Sequence, residues 1–330
     1  MYQPLVKRHF TCIQFWMIAL CCVINVSFCK AQQSPQHSLY MIDKYQINPA
    51  YAGFDRSLSA NFNYRSQWSG LNGSPRQAYF NAHLPIYLLD GGLGVTFRSD
   101  KAGTLGFTEF TTSYNRVLSM RNGILSGGVR LGFIQRTNDG VSIITPDGFY
   151  NPNAFNHNDP ILSEGITRGT NLVWTIGIYF SSNKFNGGVT LSDFYLGDAS
   201  VGDATVASNK MASFMGQLSI LVNELQFKPS LLVKTNGQYY QTDLSIIGKS
   251  GNIFGGLGIR GFNENSFESL IILGGIKLNK HYTLTYSYDM GLGSLKNASQ
   301  GSHEININYN LNKLIGIGLA PEIIYNPRNL

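Results

Sequence analysis

Apolar and polar residues alternate with a period of two along most of the chain beyond residue 56. In "LSANFNYRSQW" Leu58, Ala60, Phe62, Tyr64 and Trp68 share one face, while Ser59, Asn61, Asn63, Arg65 and Gln67 take the other. "LSGGVRLGF" sets Leu125, Val129, Leu131 and Phe133 against Ser126, Gly128, Arg130 and Gly132. "YTLTYSYDM" and "EININYNLN" repeat the pattern, with Thr285, Ser287, Asp289, Glu304 and Asn306 on their polar faces. Successive side chains of a strand point to opposite faces, so these runs predict half-apolar strands with no helical competitor. Fourteen such segments are expected, near residues 57–68, 76–84, 92–99, 107–118, 123–137, 169–181, 184–192, 210–222, 224–234, 239–247, 252–261, 267–278, 281–290 and 303–311.

The connections supply an independent test. Several odd-numbered ones are long (138–168, 193–209, 291–302), whereas the even ones are mostly tight turns such as "MRNG", "SSNK", "NE" and "NK". An even strand count with long and short connections at opposite ends predicts an all-β fold, a transmembrane antiparallel β-barrel. Inside lipid every backbone amide needs a partner, and a closed sheet has no free edge. A β-sandwich gives no reason for loop length to alternate, and a solenoid would need a repeat that is absent.

Composition sharpens this picture. Only 13% of residues are charged, against 36 Gly, 18 Tyr and 20 Phe; soluble domains carry about a quarter charged residues. The polar faces are rich in Gly, Asn, Ser and Thr, as a crowded lumen requires, and the apolar faces end in aromatics such as Tyr64, Trp68, Tyr114, Trp174 and Tyr282. Residues 1–31 read as an export leader: Lys7 and Arg8, then the apolar "CIQFWMIALCCVINVSF", then small Cys29 and Ala31 before Gln32. All four cysteines lie there, so the mature chain is expected to have no disulfide, thiolate metal site or cysteine nucleophile. The leader also carries three basic residues and no acidic one, so the net charge of +6 falls to about +3, too mild to argue for nucleic acid.

Candidate chemistry is sparse. His83, His157, His281 and His303 fall on separate segments with no spacing that announces a nucleophile and its base, so no enzyme and no cofactor is expected. The outer connections gather Asp147, Asp159, Asp193, Asp198 and Asp203 without a calcium-loop spacing. Cargo contact is expected there, at Asp147, Phe149, Tyr150, Asp159, Phe194, Tyr195, Asp198 and Asp203. Arg121, Lys184, Lys249, Lys280 and Lys313 are assigned to the inner turns, where they dock a periplasmic partner or meet lipid head groups. On the lumen face Arg65, Arg98, Arg130 and Arg260 oppose Glu109, Asp243, Asp289 and Glu304, as an ion-pair network or the lining of a pore.

One stretch fits none of these roles. "INPAYAGF" precedes the first strand; Pro49 biases Asn48 toward extended backbone, Ala50, Ala52 and Gly53 permit close approach, and Tyr51 offers an anchor. It is expected to fold back into the barrel as a partial plug. The expected division is thus leader 1–31, plug-like segment 32–56, barrel 57–311 and periplasmic tail 312–330.

In order along the chain, "LYMIDKYQINPAYAGF", "SPRQAYFNAHLPI", "GGLGVTFRSDKAGTLGFTEFTTSYNRVL" and "YTLTYSYDMGLGSLKNASQGSHEININY" resemble the PorP/SprF family of the type IX secretion and gliding machinery of Bacteroidetes. The run Asn48 to Gly53 and the run Gly301, Ser302, His303, Glu304 are its most diagnostic pieces. The resemblance implies an integral outer-membrane barrel for export or surface attachment of cargo. It also implies a secreted partner with a C-terminal sorting domain, and contacts with motor or ring subunits. The closing "IIYNPRNL" departs from the terminal aromatic of many outer-membrane barrels.

Overall fold

The computed structural model describes residues 36–151, 154–159, 162–196, 199–201, 204–206, 210–262 and 266–315; the barrel unit begins at His37. Expectations for residues 1–35, for Asp198 and Asp203, and for 316–330 lie outside the described residues.

Fourteen antiparallel strands form one sheet closed on itself. They are β1 (Ser59–Ser66), β2 (Arg76–Ile86), β3 (Gly91–Ala102), β4 (Leu105–Met120), β5 (Gly123–Asp139), β6 (Ile166–Ser181) and β7 (Phe185–Leu196). The second half is β8 (Met211–Leu218, resumed at Ile220–Val222), β9 (Leu225–Thr235), β10 (Tyr240–Ser250), β11 (Ile253–Phe262), β12 (Ser266–Lys277), β13 (Tyr282–Gly291) and β14 (Ser302–Asn310). Each strand pairs with its sequence neighbours, and β1 closes on β14 from Ser59↔Asn310 to Ser66↔His303. Two short hairpins, Phe149–Asn151 with Ala154–Asn156 and Ala199–Val201 with Ala204–Val206, stand on the long connections.

The alternation sorts side chains as the pattern predicts. On β1 Phe62 and Tyr64 are 43% and 39% exposed, facing outward, while Asn61, Asn63 and Arg65 between them are at most 4% exposed. An apolar outer band on a wall closed by strand pairing is what a bilayer accepts. Among the described residues no helix is long and apolar enough to cross a membrane. All six even connections are short turns; we call their end inner and the long-loop end outer, after the rule for outer-membrane barrels.

One expectation moves. Strand β7 runs on to Leu196 through a register shift opposite Trp174 and Ile176, so Phe194 and Tyr195 belong to the wall and not to a loop. Phe194 stacks on Trp174 at 4.3 Å, and the Arg136 guanidinium covers the Tyr195 ring at 4.2 Å. Lys249 likewise lies within β10, on its lumen face, and not in a turn.

Candidate functional site: a segment filling the lumen

Residues 37–58 run down the inside of the barrel, from the outer third to the inner mouth where β1 begins. Local chemistry shapes this path. Asp43 caps the single helical turn Lys44–Ile47, its Oδ1 accepting from Gln46 N at 3.2 Å. Asn48 ends that turn in extended geometry and caps the next, Pro49–Tyr51, with Oδ1 accepting from Ala50 N at 2.9 Å. Pro49 suits the first position because its missing N–H would have had no partner there. Gly53 then turns the chain with φ +78°, a conformation an L side chain resists, and its N–H donates to His83 Nδ1 at 3.1 Å.

The "NPAYAG" run is bonded to the wall at several points. Asn48 Nδ2 donates to the carbonyls of Ile178 (3.0 Å) and Val189 (3.2 Å), so one amide serves its own turn and the β6–β7 seam. Asn115 Nδ2 donates to Ala50 O at 2.8 Å. Arg130 donates to the carbonyls of Tyr45 and Gln46 at 2.5 and 3.2 Å, and its guanidinium lies 4.9 Å from the Tyr45 ring centre. It thus satisfies helix-end carbonyls in place of the carboxylate partner expected for it. Tyr51 stacks on Phe54 at 5.5 Å, both rings meet Tyr179 edge-on, and Tyr51 Oη donates to Asp55 Oδ1 at 2.8 Å.

Glycines make room for this packing. A Cβ on Gly128 would stand 2.7 Å from Ala50 Cα; one on Gly177 would overlap Asn48 Oδ1, and one on Gly92 the carbonyl of Ala52. Strands β3, β5 and β6 therefore present a bare-backbone seat on one side of the lumen, and Asn48, Ala50 and Ala52 are fully buried on it. Isolated glycines in a strand mark such close approach, but nothing in their spacing says what approaches.

At the outer end the segment enters a buried charge cluster. Arg65 pairs with Asp289 (2.7 Å) and Glu304 (3.0 Å); Arg260 pairs with Asp243 and Asp289, each at 3.0 Å. Ser38 sits at the centre: its N–H donates to Glu304 Oε2 (2.7 Å), its Oγ donates to Asp289 Oδ2 (2.6 Å), and both arginines donate to the Ser38 Oγ at 3.0 Å. Lys234, buried on the same face two positions from the partner of Asp243, balances the third acid. Of the two readings of these charges, the geometry fits an ion-pair network. Arg98 belongs to a separate group, 3.1 Å from Glu109 and 3.3 Å from Asp100.

Titratable groups of the segment itself respond to burial, which raises the Tyr40 phenol. Burial lowers His37 well below 6.5, helped by the nearby cations, and pushes the Asp43 carboxyl up to about 6 despite hydrogen bonds from Asn81 and Gln46 N. It draws Lys44 down to about 8, with Lys228 adding to the effect.

The remaining predicted residues are scattered. Gly301 takes φ +81°, Ser302 Oγ accepts from Trp68 N at 3.1 Å, and His303 turns outward against Tyr286 and Tyr288, opposite in direction to Glu304. Asp147, Phe149 and Asp159 are exposed. Tyr150 is held in its hairpin, its hydroxyl bonded to Thr145 N (2.7 Å) and His157 Nδ1 (2.9 Å). Among the described residues no group of three or more His, Cys, Asp or Glu is placed to hold a metal ion. Sequence reasoning missed Ser38, Asn115 and the glycine seat.

A family described as the type IX secretion system membrane protein PorP/SprF matches residues 29–309, which takes in the lumenal segment and the strands up to the penultimate residue of β14. The chain belongs to the PorP/SprF family. Among curated proteins none matches the chain. Among solved structures, the PorP/SprF chain is similar to the CymD monoaromatic hydrocarbon channel, with TM-score 0.47 and 11% identity over 80% of this chain and 90% of that one. The TodX deltaS2S3 mutant monoaromatic hydrocarbon channel gives 0.43 and 9% over 83% and 93%, and the KdgM porin 0.35 and 9% over 76% and 98%. This PorP/SprF protein is an outer-membrane-type β-barrel of a type IX secretion family.

Proposed function

We propose that the protein resides in the outer membrane and supports type IX export or holds one secreted cargo at the surface, an adhesin-like protein with a C-terminal sorting domain. The observation that carries this reading is the occupied lumen of a PorP/SprF barrel, with Ser38, Asn48, Ala50 and Ala52 fully buried inside it. A wall bonded to its own segment at both ends offers surfaces for partners more readily than a conduit for solutes. The reading includes no catalytic step and no cofactor. It takes 1–31 as a removed leader, 32–56 as the lumenal segment, 57–311 as the barrel and 312–330 as a periplasmic tail. Cargo contact falls on the outer connections, where Asp147, Phe149 and Asp159 are exposed. Motor or ring subunits meet the inner turns, around exposed Arg121, Lys184 and Lys280.

Affinity purification of the tagged protein from native outer membranes, with mass spectrometry of what accompanies it, tests this. A stoichiometric secreted protein with a C-terminal sorting domain is the expected result. Replacing 140–165 and 197–210 by short turns should then release that protein and leave the barrel folded. A lone barrel that passes ions or small hydrophobic solutes in a planar bilayer would overturn the reading in favour of a diffusion channel.

A further inference from the structure

The lumenal segment is seated on β3, β5 and β6, and it leaves space on the opposite side. Between it and the wall from β8 round to β1, at the inner end, lies a cavity of about 290 Å³. Four lysines line it: Lys44 from the segment, Lys228 from β9, Lys249 from β10 and Lys277 from β12. The register explains the gathering. Lys249 pairs with Gln226, which puts Lys228 two residues on along the same face. On its other side Lys249 pairs with Phe254, which pairs with Gly275, two residues from Lys277. The lysines thus follow one diagonal band across four strands, with Phe254 between them.

This grouping is only partly offset from within: Lys44 Nζ lies 5.7 Å from the Tyr51 ring centre and feels the Asp55 charge. Among the described residues none of the four ammonium groups has a carboxylate within 4.0 Å or a hydrogen-bond partner. The two acids of the cavity are turned to other tasks. Asp43 caps its helical turn and accepts from Asn81; Asp55 accepts from Tyr51 Oη and lies 3.7 Å from His83. Like charges gathered in a half-buried recess repel one another, and an anion removes that cost. Burial draws the Lys44 ammonium down to about 8, and Lys228 beside it adds to the effect.

We propose that this cavity is a binding site for clustered carboxylates entering from the inner, periplasmic end. Lysines supply charge without imposing the forked geometry of guanidinium, which suits flexible carboxylates. Met41, Ile247 and Phe254 give the recess an apolar floor for an aliphatic skeleton, and Asn308 and Asn310 add amides at its rim. The chemistry comes either as a small tricarboxylate or as an acidic peptide tail. The site does not depend on the export reading and stands or falls by its own test.

The test is titration calorimetry on the full barrel in detergent, with tricarballylate, a tetraglutamate peptide and inorganic phosphate as probes. Saturable binding of at least one carboxylate probe is expected, weakened about tenfold or more in Lys228→Gln/Lys277→Gln. Lys280→Gln, at the same end on an exposed turn, should leave it unchanged. Heat-dependent gel migration verifies that each variant is a closed barrel, and Lys277→Gln alone serves if the double variant does not fold. Tighter binding of the peptide or of the small acid names the source. Absence of saturable carboxylate binding, binding indifferent to the lysines, or a preference for phosphate would each overturn the proposal.

Discussion

The two ends of the lumen handle charge in opposite ways. At the outer end Arg65, Arg260 and Lys234 face Asp243, Asp289 and Glu304, all nearly inaccessible, with Ser38 joining two acids to two guanidiniums. At the inner end four lysines share a recess whose two acids are engaged elsewhere. A buried charge is tolerable only when paired and hydrogen-bonded, so the outer cluster fixes one arrangement of segment and wall. A half-buried, unpaired charge is tolerable where water or a ligand reaches it. The first arrangement is built to hold, the second to receive.

The sharpest way to break this contrast is to remove one charge from each end. Glu304→Gln leaves Arg65 short of a partner in a dry site and should cost about 3–5 kcal/mol, read as a fall in the urea midpoint of the compact gel form. Lys277→Gln relieves repulsion and should leave that midpoint unchanged or raised; equal losses in the two variants would erase the distinction. Next in size is a pH effect at the segment's middle. The Asp43 carboxyl is raised from 3.8 to about 6, so its protonated form is the one the fold favours. Its contribution is fully present below about 4 and lost as pH rises through about 6, up to about 3 kcal/mol in all. Comparing urea midpoints at pH 4 and 7.5, the difference between wild type and Asp43→Asn should show that window; parallel curves would refute it.

The seat between the two ends sharpens the comparison. Gly128→Val drives a side chain into Ala50 and should cost about 1–3 kcal/mol. The strain should loosen residues 37–58, seen as faster hydrogen exchange in that stretch, while β11–β14 keep wild-type protection. The smallest effect belongs to the outer loops. Tyr150→Phe removes the hydroxyl that ties Thr145 to His157 and should cost about 1 kcal/mol, confined to its hairpin. Hydrogen exchange in 145–157 checks it, with the barrel midpoint unmoved.

The strands were readable because a period of two sustained over a whole bilayer crossing has no competing explanation. The reading slipped at "SDFYL", where the register shift opposite Trp174 and Ile176 breaks the alternation and β7 continues through a stretch that looks like loop. It also paired Arg130 with an acid, because charges are visible in a sequence and helix-end carbonyls are not. The lumenal segment was legible as an oddity, since Pro49 and Gly53 announce a shaped turn. Its seat was not, because Gly92, Gly128 and Gly177 are spread over three strands and are brought together only by register, in the row Gly92, Asn115, Gly128, Gly177. The same holds for Lys228, Lys249 and Lys277, which register alone aligns.

The pairing of β1 with β14 has a consequence for how the molecule comes into being. Ser38 bonds to Glu304, 266 positions away, and Glu304 belongs to the last strand to be made. The final seam and the segment's outer anchor therefore share one residue, Glu304, at the far end of a long loop closure. A wall that zipped shut first would leave its buried guanidiniums facing Asp289 and Glu304 without the hydroxyl that links them. The wall is wrapped around its own beginning, as staves are raised around a form, and an empty cylinder is a product this chain is poorly made to yield.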